Sequence, residues 1–400
     1  MKWHSALSLF LLGILLAAAI LVLANSVSDD KGDESFYVGV AFCGNTSAEA
    51  KLLIDKVKKY TNLFVLQSGP ISKNETATNE ICDYAVAAGL HIIAYFGYFE
   101  ADLPWQLPWL DFARQRWRDR FLGVYYYDEP GGTQLDLNWA RCFNNLKLQN
   151  STMYRAHASA MEAFLNGTLA KDYETAAKIY VDILKNDSGI QELKKRSITT
   201  FTSDYALYWF DYLGNYDVVL VQLGWNDTLS RSIGLIRGAA RLQDKPWGAI
   251  VTWRYSEPPY LDSGENIYQQ MLIAYEAGAK YVVIFNYPQY PEGNTYGVLA
   301  DEHFEALERF WNDAVTAPQV AQGSIEAEAV LVLPGNYGWG MRYPDDQIWY
   351  WRAGERAQVM WEWSLELLSE YDMYLDIVPD DPAFPATGKY GKIFHWSDLT

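Results

Sequence analysis

Between residues 36 and 315 the chain alternates two patterns of apolar and polar positions. Short continuous apolar runs give way to longer stretches in which apolar positions recur three and four apart. The runs are FYVGVAF (36–42), LFVLQS (63–68), HIIAYFGY (91–98), FLGVYYYDE (121–129), SITTFTSD (197–204), VVLVQLGW (218–225), WGAIVTW (247–253) and YVVIFNY (281–287). Runs of this length without in–out alternation read as strands buried on both faces. The intervening stretches read as helices. Thr46 and Glu49 form a capping box at the start of the first, residues 264–277 close on Gly278, and residues 300–314 follow the eighth run. Eight strand-then-helix units predict an α/β fold of the (β/α)8 TIM-barrel type over 35–316. A doubly wound open sheet is the alternative, but it rarely runs to eight such units.

The alternation is interrupted once and then changes. Residues 150–195, including the helical pattern 169–185, form an insertion between the fourth and fifth strands. Leaving from a strand-to-helix segment, it lies near the barrel's C-terminal face, as a lid, a wall or a solvated ornament. After the linker APQVAQGSIEAE, strands at 329–334, 374–378 and 390–396 and a helix at 355–370 predict a small C-terminal α/β domain, 325–400. Its loop 335–349 carries Gly335, Gly338 and Gly340, but not in the order of a dinucleotide site. It reads as a tight, tryptophan-bearing loop packed on the barrel.

The N-terminus changes the expected address. Residues 6–24 carry no charge, Lys2 precedes them, and Asp29, Asp30, Asp33 and Glu34 follow. This predicts a single-pass transmembrane anchor within 1–27, with the globular part outside the cytoplasm. A signal segment cleaved after Ala24 is the alternative, with the same destination. Asn45, Asn74, Asn150, Asn166, Asn186 and Asn226 each head an N-x-S/T sequon, which agrees with an exported glycoprotein. The net charge of −18 argues against nucleic acid as a partner, since phosphate binding needs basic patches. Cys43, Cys82 and Cys142 are scattered and make no disulfide framework or zinc motif.

In a parallel barrel, chemistry sits where strands end and loops begin. Those positions here include Gln67, Tyr98, Glu100, Asp128, Glu129, Ser203, Asp204, Tyr205, Trp225, Asn226, Trp253, Arg254, Glu257, Asn286 and Tyr287. The ring is carboxylate, amide and aromatic. The histidines, at 4, 91, 157, 303 and 395, fall elsewhere, so no metal, cofactor or Ser/His/Asp machinery is expected. The Asp128-Glu129 doublet stands out at the end of a buried run, where a carboxylate is costly unless paired or functional. The bland alternative is an Asp/Glu turn or a cap for the next helix, with Pro130 and Gly131-Gly132 turning the chain.

Carboxylates beside aromatics outside the cell suit glycosidic bond cleavage, which needs one neutral carboxylic acid and a second group at the oxocarbenium-like centre. Glu129, Asp128, Asp204 and Glu257 are the catalytic candidates, Asp204 alternatively capping the helix YALYWFDYL. Gln67, Tyr98, Tyr205, Trp225, Asn226, Trp253, Arg254, Asn286 and Tyr287 are candidates for binding the glycan. Arg254 would hold an acidic sugar or neutralise Asp128.

The fourth run with its YYYDEP ending resembles the β-N-acetylhexosaminidase type of glycoside hydrolase, a barrel whose fourth strand ends in Asp-Glu. That resemblance implies Glu129 as general acid and Asp128 as the residue orienting the substrate's own acetamido nucleophile. The chain is also similar to the retaining barrel glycosidases, which place the acid on strand four and a nucleophilic Glu on strand seven; Glu257 would serve. Their Asn-Glu-Pro is Asp-Glu-Pro here. The expected function is hydrolysis of an envelope or extracellular glycan. The alternatives are a non-catalytic carbohydrate-binding protein and a structural surface protein.

Overall fold

The computed structural model of the protein describes residues 36–148, 158–159, 162–163, 166–168, 170, 172–225, 228–288 and 294–399. The expected membrane segment therefore lies outside the described residues, as do Asn150 and Asn226. Among the described residues no helix is long and apolar enough to cross a membrane.

Residues Tyr37–Thr400 form one compact unit around a closed barrel of eight parallel strands. The strands are β1 (Tyr37–Phe42), β2 (Leu63–Leu66), β3 (His91–Phe96), β4 (Phe121–Tyr126), β5 (Thr200–Asp204), β6 (Val218–Leu223), β7 (Trp247–Val251) and β8 (Tyr281–Ile284), each paired with the next and β8 with β1. Every residue of β1, β2, β5, β6, β7 and β8 is buried, which is why these runs show no alternation. Interior positions include Ala41, Val65, Ile93, Leu220, Ile250 and Val283. Tyr37 stacks on Tyr281 with centroids 5.1 Å apart, and Phe201 meets Tyr281 edge-on at 5.2 Å. The barrel is a packed core, not a pore.

The helices that matter for the site are α1 (Ser47–Val57), α2 (Glu75–Ala87), α3 (Gln106–Trp117), α4 (Pro130–Leu148), α5 (Tyr173–Lys185), α6 (Ser188–Lys195), α7 (Tyr208–Leu213) and α8 (Leu229–Leu242). The capping box of Thr46 and Glu49 forms as expected. Within the insertion, α5 buries Ala176, Ala177, Ile179, Tyr180, Ile183 and Leu184. It packs on α7 and, through Tyr173 and Tyr180, on Tyr337, Trp351 and Trp349 of the C-terminal part. The insertion's described helix α5 is thus packed into the fold rather than a solvated ornament.

The C-terminal part is a three-stranded parallel sheet of order β10-β9-β11, from β9 (Ala329–Leu333), β10 (Leu375–Pro379) and β11 (Lys392–His395). It is seated on α8, most of whose residues are buried, Ser230, Arg231 and Arg237 among them. Gly234 permits this approach, since a Cβ there would lie 2.5 Å from the Leu375 carbonyl oxygen. Arg237 Nε donates to Asp376 at 2.8 Å, both side chains buried, and its Nη2 donates to the Met373 carbonyl at 2.6 Å. Tyr390 donates to the second Asp376 oxygen at 2.8 Å, so the buried charge is paired and satisfied. The loop after β9 packs on the barrel as expected, with Trp349 fully buried against Phe210 at 4.7 Å.

Candidate active site

The fourth strand was expected to run to Glu129, but it stops at Tyr126. Tyr127 and Glu129 adopt left-handed backbone, φ 55° and 53°. Non-glycine residues hold that conformation only where surroundings impose it. They do so here: Tyr216 donates to the Tyr126 carbonyl at 2.9 Å, Thr202 to the Tyr127 carbonyl at 2.7 Å, and the Glu129 amide donates to the Ser203 carbonyl at 3.0 Å. The two left-handed residues break the alternation of side-chain direction, so adjacent carboxylates both lie at the barrel mouth.

The glycines do not make a turn. Pro130 opens α4, where its missing N–H costs nothing, and Gly131-Gly132 lie in the first turn. A Cβ on Gly132 would lie 2.2 Å from the Tyr205 ring, and one on Gly131 2.7 Å from the Ala206 carbonyl oxygen. The glycines let the helix start press against the end of β5. Asp204 exploits that contact. Its oxygens accept from Gly131 N at 2.6 Å, Gly132 N at 2.8 Å, Tyr205 N at 2.8 Å and Ala206 N at 3.2 Å. It caps α4 and its own turn, not the helix within YALYWFDYL, whose N-cap is Leu207 and takes no side-chain bond, and it is fully buried away from the cavity. Burial raises its carboxyl to about 7, against the pull of those amides. Asp211, to which Tyr180 donates at 2.6 Å, is buried alongside and held well above the usual carboxylate range.

A cavity of about 370 Å³ opens beside the doublet, within the usual size of small-molecule sites. Its walls are Glu129, Asp136, Tyr205, Gln222, Trp225, Trp253, Arg342 and Tyr343. Gln222 Nε2 donates to Glu129 Oε1 at 2.6 Å and to Ser203 Oγ at 3.0 Å. With Oε1 engaged as an acceptor, Oε2 is the oxygen left to carry a proton. Burial first, then the adjacent Asp128, pushes Glu129 up to about 7. Asp128 is half-buried at the mouth, taking hydrogen bonds from the Tyr125 hydroxyl and from Ser203 Oγ at 3.3 Å, with Gln67 Nε2 donating to Tyr125 at 3.4 Å. Burial raises it to about 6, while these donors favour its ionised form. The two carboxyls are therefore joined through Ser203 and Gln222.

The remaining expected residues divide. Tyr205, Trp225 and Trp253 line the cavity, and Tyr287 packs on Trp253 at 5.3 Å. Glu257 is exposed on the loop after β7 and is not part of the wall. Tyr98 is half-buried beside Glu100, which pairs with Lys73 at 3.0 Å. Asn286 is buried and accepts from Val298 N at 3.2 Å, a structural role. Arg254 does not neutralise Asp128: it donates to the Trp225 carbonyl and lies 3.8 Å from Asp262. Asn226 lies outside the described residues. Sequence reasoning did not single out Gln222, Asp136, Arg342 and Tyr343. Gln222 had a signal, a lone polar residue inside an apolar strand. Among the described residues, no cluster of His, Cys, Asp and Glu is arranged to hold a metal.

A second cavity of about 370 Å³, bounded by Phe99, Glu100, Leu103, Pro104, Leu107 and Glu192 among others, is mostly apolar, and its two carboxylates are paired with Lys73 and Arg196.

No protein-family model and no curated protein sequence matches the chain. It is similar in fold to a candidate glycoside hydrolase from Parabacteroides distasonis, with 10% identity over 73% of this chain and 96% of that one, TM-score 0.43. It is similar also to 3-keto-L-gulonate-6-phosphate decarboxylase from Vibrio cholerae, at 8% identity over 69% and 99% of the two chains, TM-score 0.34. A truncated 3-deoxy-D-arabino-heptulosonate 7-phosphate synthase from Thermotoga maritima shares 9% identity over 72% and 90%, TM-score 0.35. The protein is an eight-stranded parallel barrel whose structural neighbours include glycoside hydrolases among other barrel enzymes. These likenesses do not choose a reaction.

Proposed function

We propose that the protein hydrolyses glycosidic bonds, with Glu129 as the general acid. The observation that carries the reading is a carboxyl held near neutrality at the wall of a cavity with two tryptophans. Such a group is protonated in a large fraction of molecules at neutral pH and can give its proton to a leaving glycosidic oxygen. Trp225 and Trp253 supply flat apolar faces for sugar C–H groups. Gln222 holds the acid in place, and the ionised fraction of Asp128 adds negative potential behind it for the oxocarbenium-like centre. The β-N-acetylhexosaminidase type, with Asp128 orienting an acetamido group, is the finer form of this proposal. Glu257, exposed on its loop, does not support a strand-seven nucleophile.

The site acts outside the cytoplasm, anchored through residues 1–27 or released if that segment is cleaved. The asparagines of the described sequons, Asn45, Asn74, Asn166 and Asn186, are all exposed and open to glycan attachment, which supports that address. A non-catalytic carbohydrate-binding role is the second reading. It is favoured by Asp136, the other carboxylate of the wall, being tied to Arg342 at 2.8 Å and to the Tyr205 hydroxyl at 2.8 Å. A panel of aryl glycosides assayed with wild type and Glu129→Gln decides between them. Hydrolysis by wild type that falls at least about a hundredfold in the variant, with sugar binding kept, supports catalysis. Binding without hydrolysis by wild type supports the second reading.

A further inference from the structure

The far wall of the cavity comes from the loop after β9, and its charges are arranged in a definite way. Arg342 Nε and Nη2 donate to Asp346 at 2.9 and 2.7 Å, and Nη1 donates to Asp136 Oδ1 at 2.8 Å. Its guanidinium lies over the Tyr205 ring, 5.1 Å from the centroid, and Tyr205 itself donates to Asp136 Oδ2. The planar fork is thereby fixed on both edges and one face. Arg342 is only 11% exposed, whereas Asp136 remains 52% exposed to the cavity side.

We propose that the Arg342–Asp136 pair is the specificity element of the sugar site, holding adjacent hydroxyls of a neutral sugar ring and turning away sugars that carry a carboxylate. The proposal rests on the glycan-binding reading above and adds the class of sugar. Vicinal hydroxyls each donate and accept, and a fixed guanidinium beside a carboxylate presents a donor and an acceptor side by side, so the two match. A uronate meets the opposite situation. Among the described residues lining the cavity, Arg342 is the one cation, and it already serves two carboxylates. Asp136, Asp346 and the ionised fraction of Glu129 outweigh it, so an added carboxylate would face net negative charge, whereas a neutral hydroxyl would not. Arg254, the residue expected to take an acidic sugar, is engaged with the Trp225 carbonyl and Asp262.

The test is titration of the detergent-solubilised full chain with the methyl β-glycosides of glucose, N-acetylglucosamine and glucuronic acid, followed by ligand-observed NMR. The glucuronide should bind at least about tenfold more weakly than the better neutral glycoside. Asp136→Asn removes one negative charge and loosens Nη1, and should bring the glucuronide to within about threefold. A merely structural role for the pair would weaken all three ligands alike. Should the variant not fold, raising the salt concentration on wild type should narrow the same gap, because repulsion is screened. Equal binding of neutral and acidic sugars by wild type overturns the proposal and leaves the glycan site standing. Failure of all three sugars to bind overturns both.

Discussion

Replacing Glu129 with glutamine should stabilise the protein above neutral pH while removing its activity. The substitution keeps shape and length, and the new amide oxygen can still accept from Gln222 Nε2, which now sits 2.6 Å from Oε1. What is lost is a carboxyl raised from 4.5 to about 7 by burial and by Asp128. Because the folded value lies above the unfolded one, the native chain between those values holds a proton that the unfolded chain has released. Stability contributed by this group therefore falls as pH rises from 4.5 towards 7, and levels off above. At about 1.4 kcal/mol per tenfold, the full interval amounts to about 3 kcal/mol against the ionised form. Asp128 shares part of that through mutual repulsion, so the variant should gain about 1–3 kcal/mol at pH 8 and almost nothing at pH 4.5. Urea denaturation of both proteins at the two pH values reads this directly. An equal shift at both, or a less stable variant at pH 8, would refute the raised pKa and with it the reason for naming Glu129 the acid.

Asp204→Asn puts an amide N–H against the Gly131 or Gly132 N–H, leaving a buried donor without its acceptor. It should cost about 2–4 kcal/mol by urea denaturation and lower kcat, since Glu129 immediately precedes α4 and Asp136 lies on it. Arg237→Met leaves Asp376 buried without its cation and should cost about 3–5 kcal/mol in the same measurement. On an aryl glycoside, kcat/KM should fall as pH rises through about 7, the value of the proton-carrying Glu129; a rate that instead climbs across that range would exclude Glu129 as donor.

The barrel was legible because parallel strands with both faces covered must be continuously apolar, and eight such runs have few ways to close. The ends of the strands were not. Where β4 stops is set by Thr202 and Tyr216, which are 75 and 90 residues away from the carbonyls they hold, and no local pattern carries that information. Gly131 and Gly132 showed that the chain needed freedom after the doublet. Only the packing of α4 on β5 shows that the freedom serves close approach rather than a turn. Arg342 was hidden for a similar reason: its partner Asp136 lies 206 residues earlier, so an ordinary loop arginine becomes a cavity residue only once the C-terminal sheet is seated on α8.

The same contacts bear on whether the doublet is functional or a turn that happens to be acidic. A cap for α4 would explain a carboxylate at this point, but Asp204 already takes the amides of Gly131 and Gly132, so the helix start does not need another. A structural ion pair would explain it too, yet the cation of the wall is spent on Asp136 and Asp346, and Arg254 is held elsewhere. What remains for Glu129 is a single neutral donor, Gln222, a left-handed backbone that costs about 1–3 kcal/mol, and an ionised form that burial disfavours. The backbone and the burial lower stability, and the one side-chain hydrogen bond from Gln222 offsets them only in part. An arrangement that is over-determined by its surroundings and kept at a net cost is what a proton donor facing a ligand requires, and a turn or a cap does not.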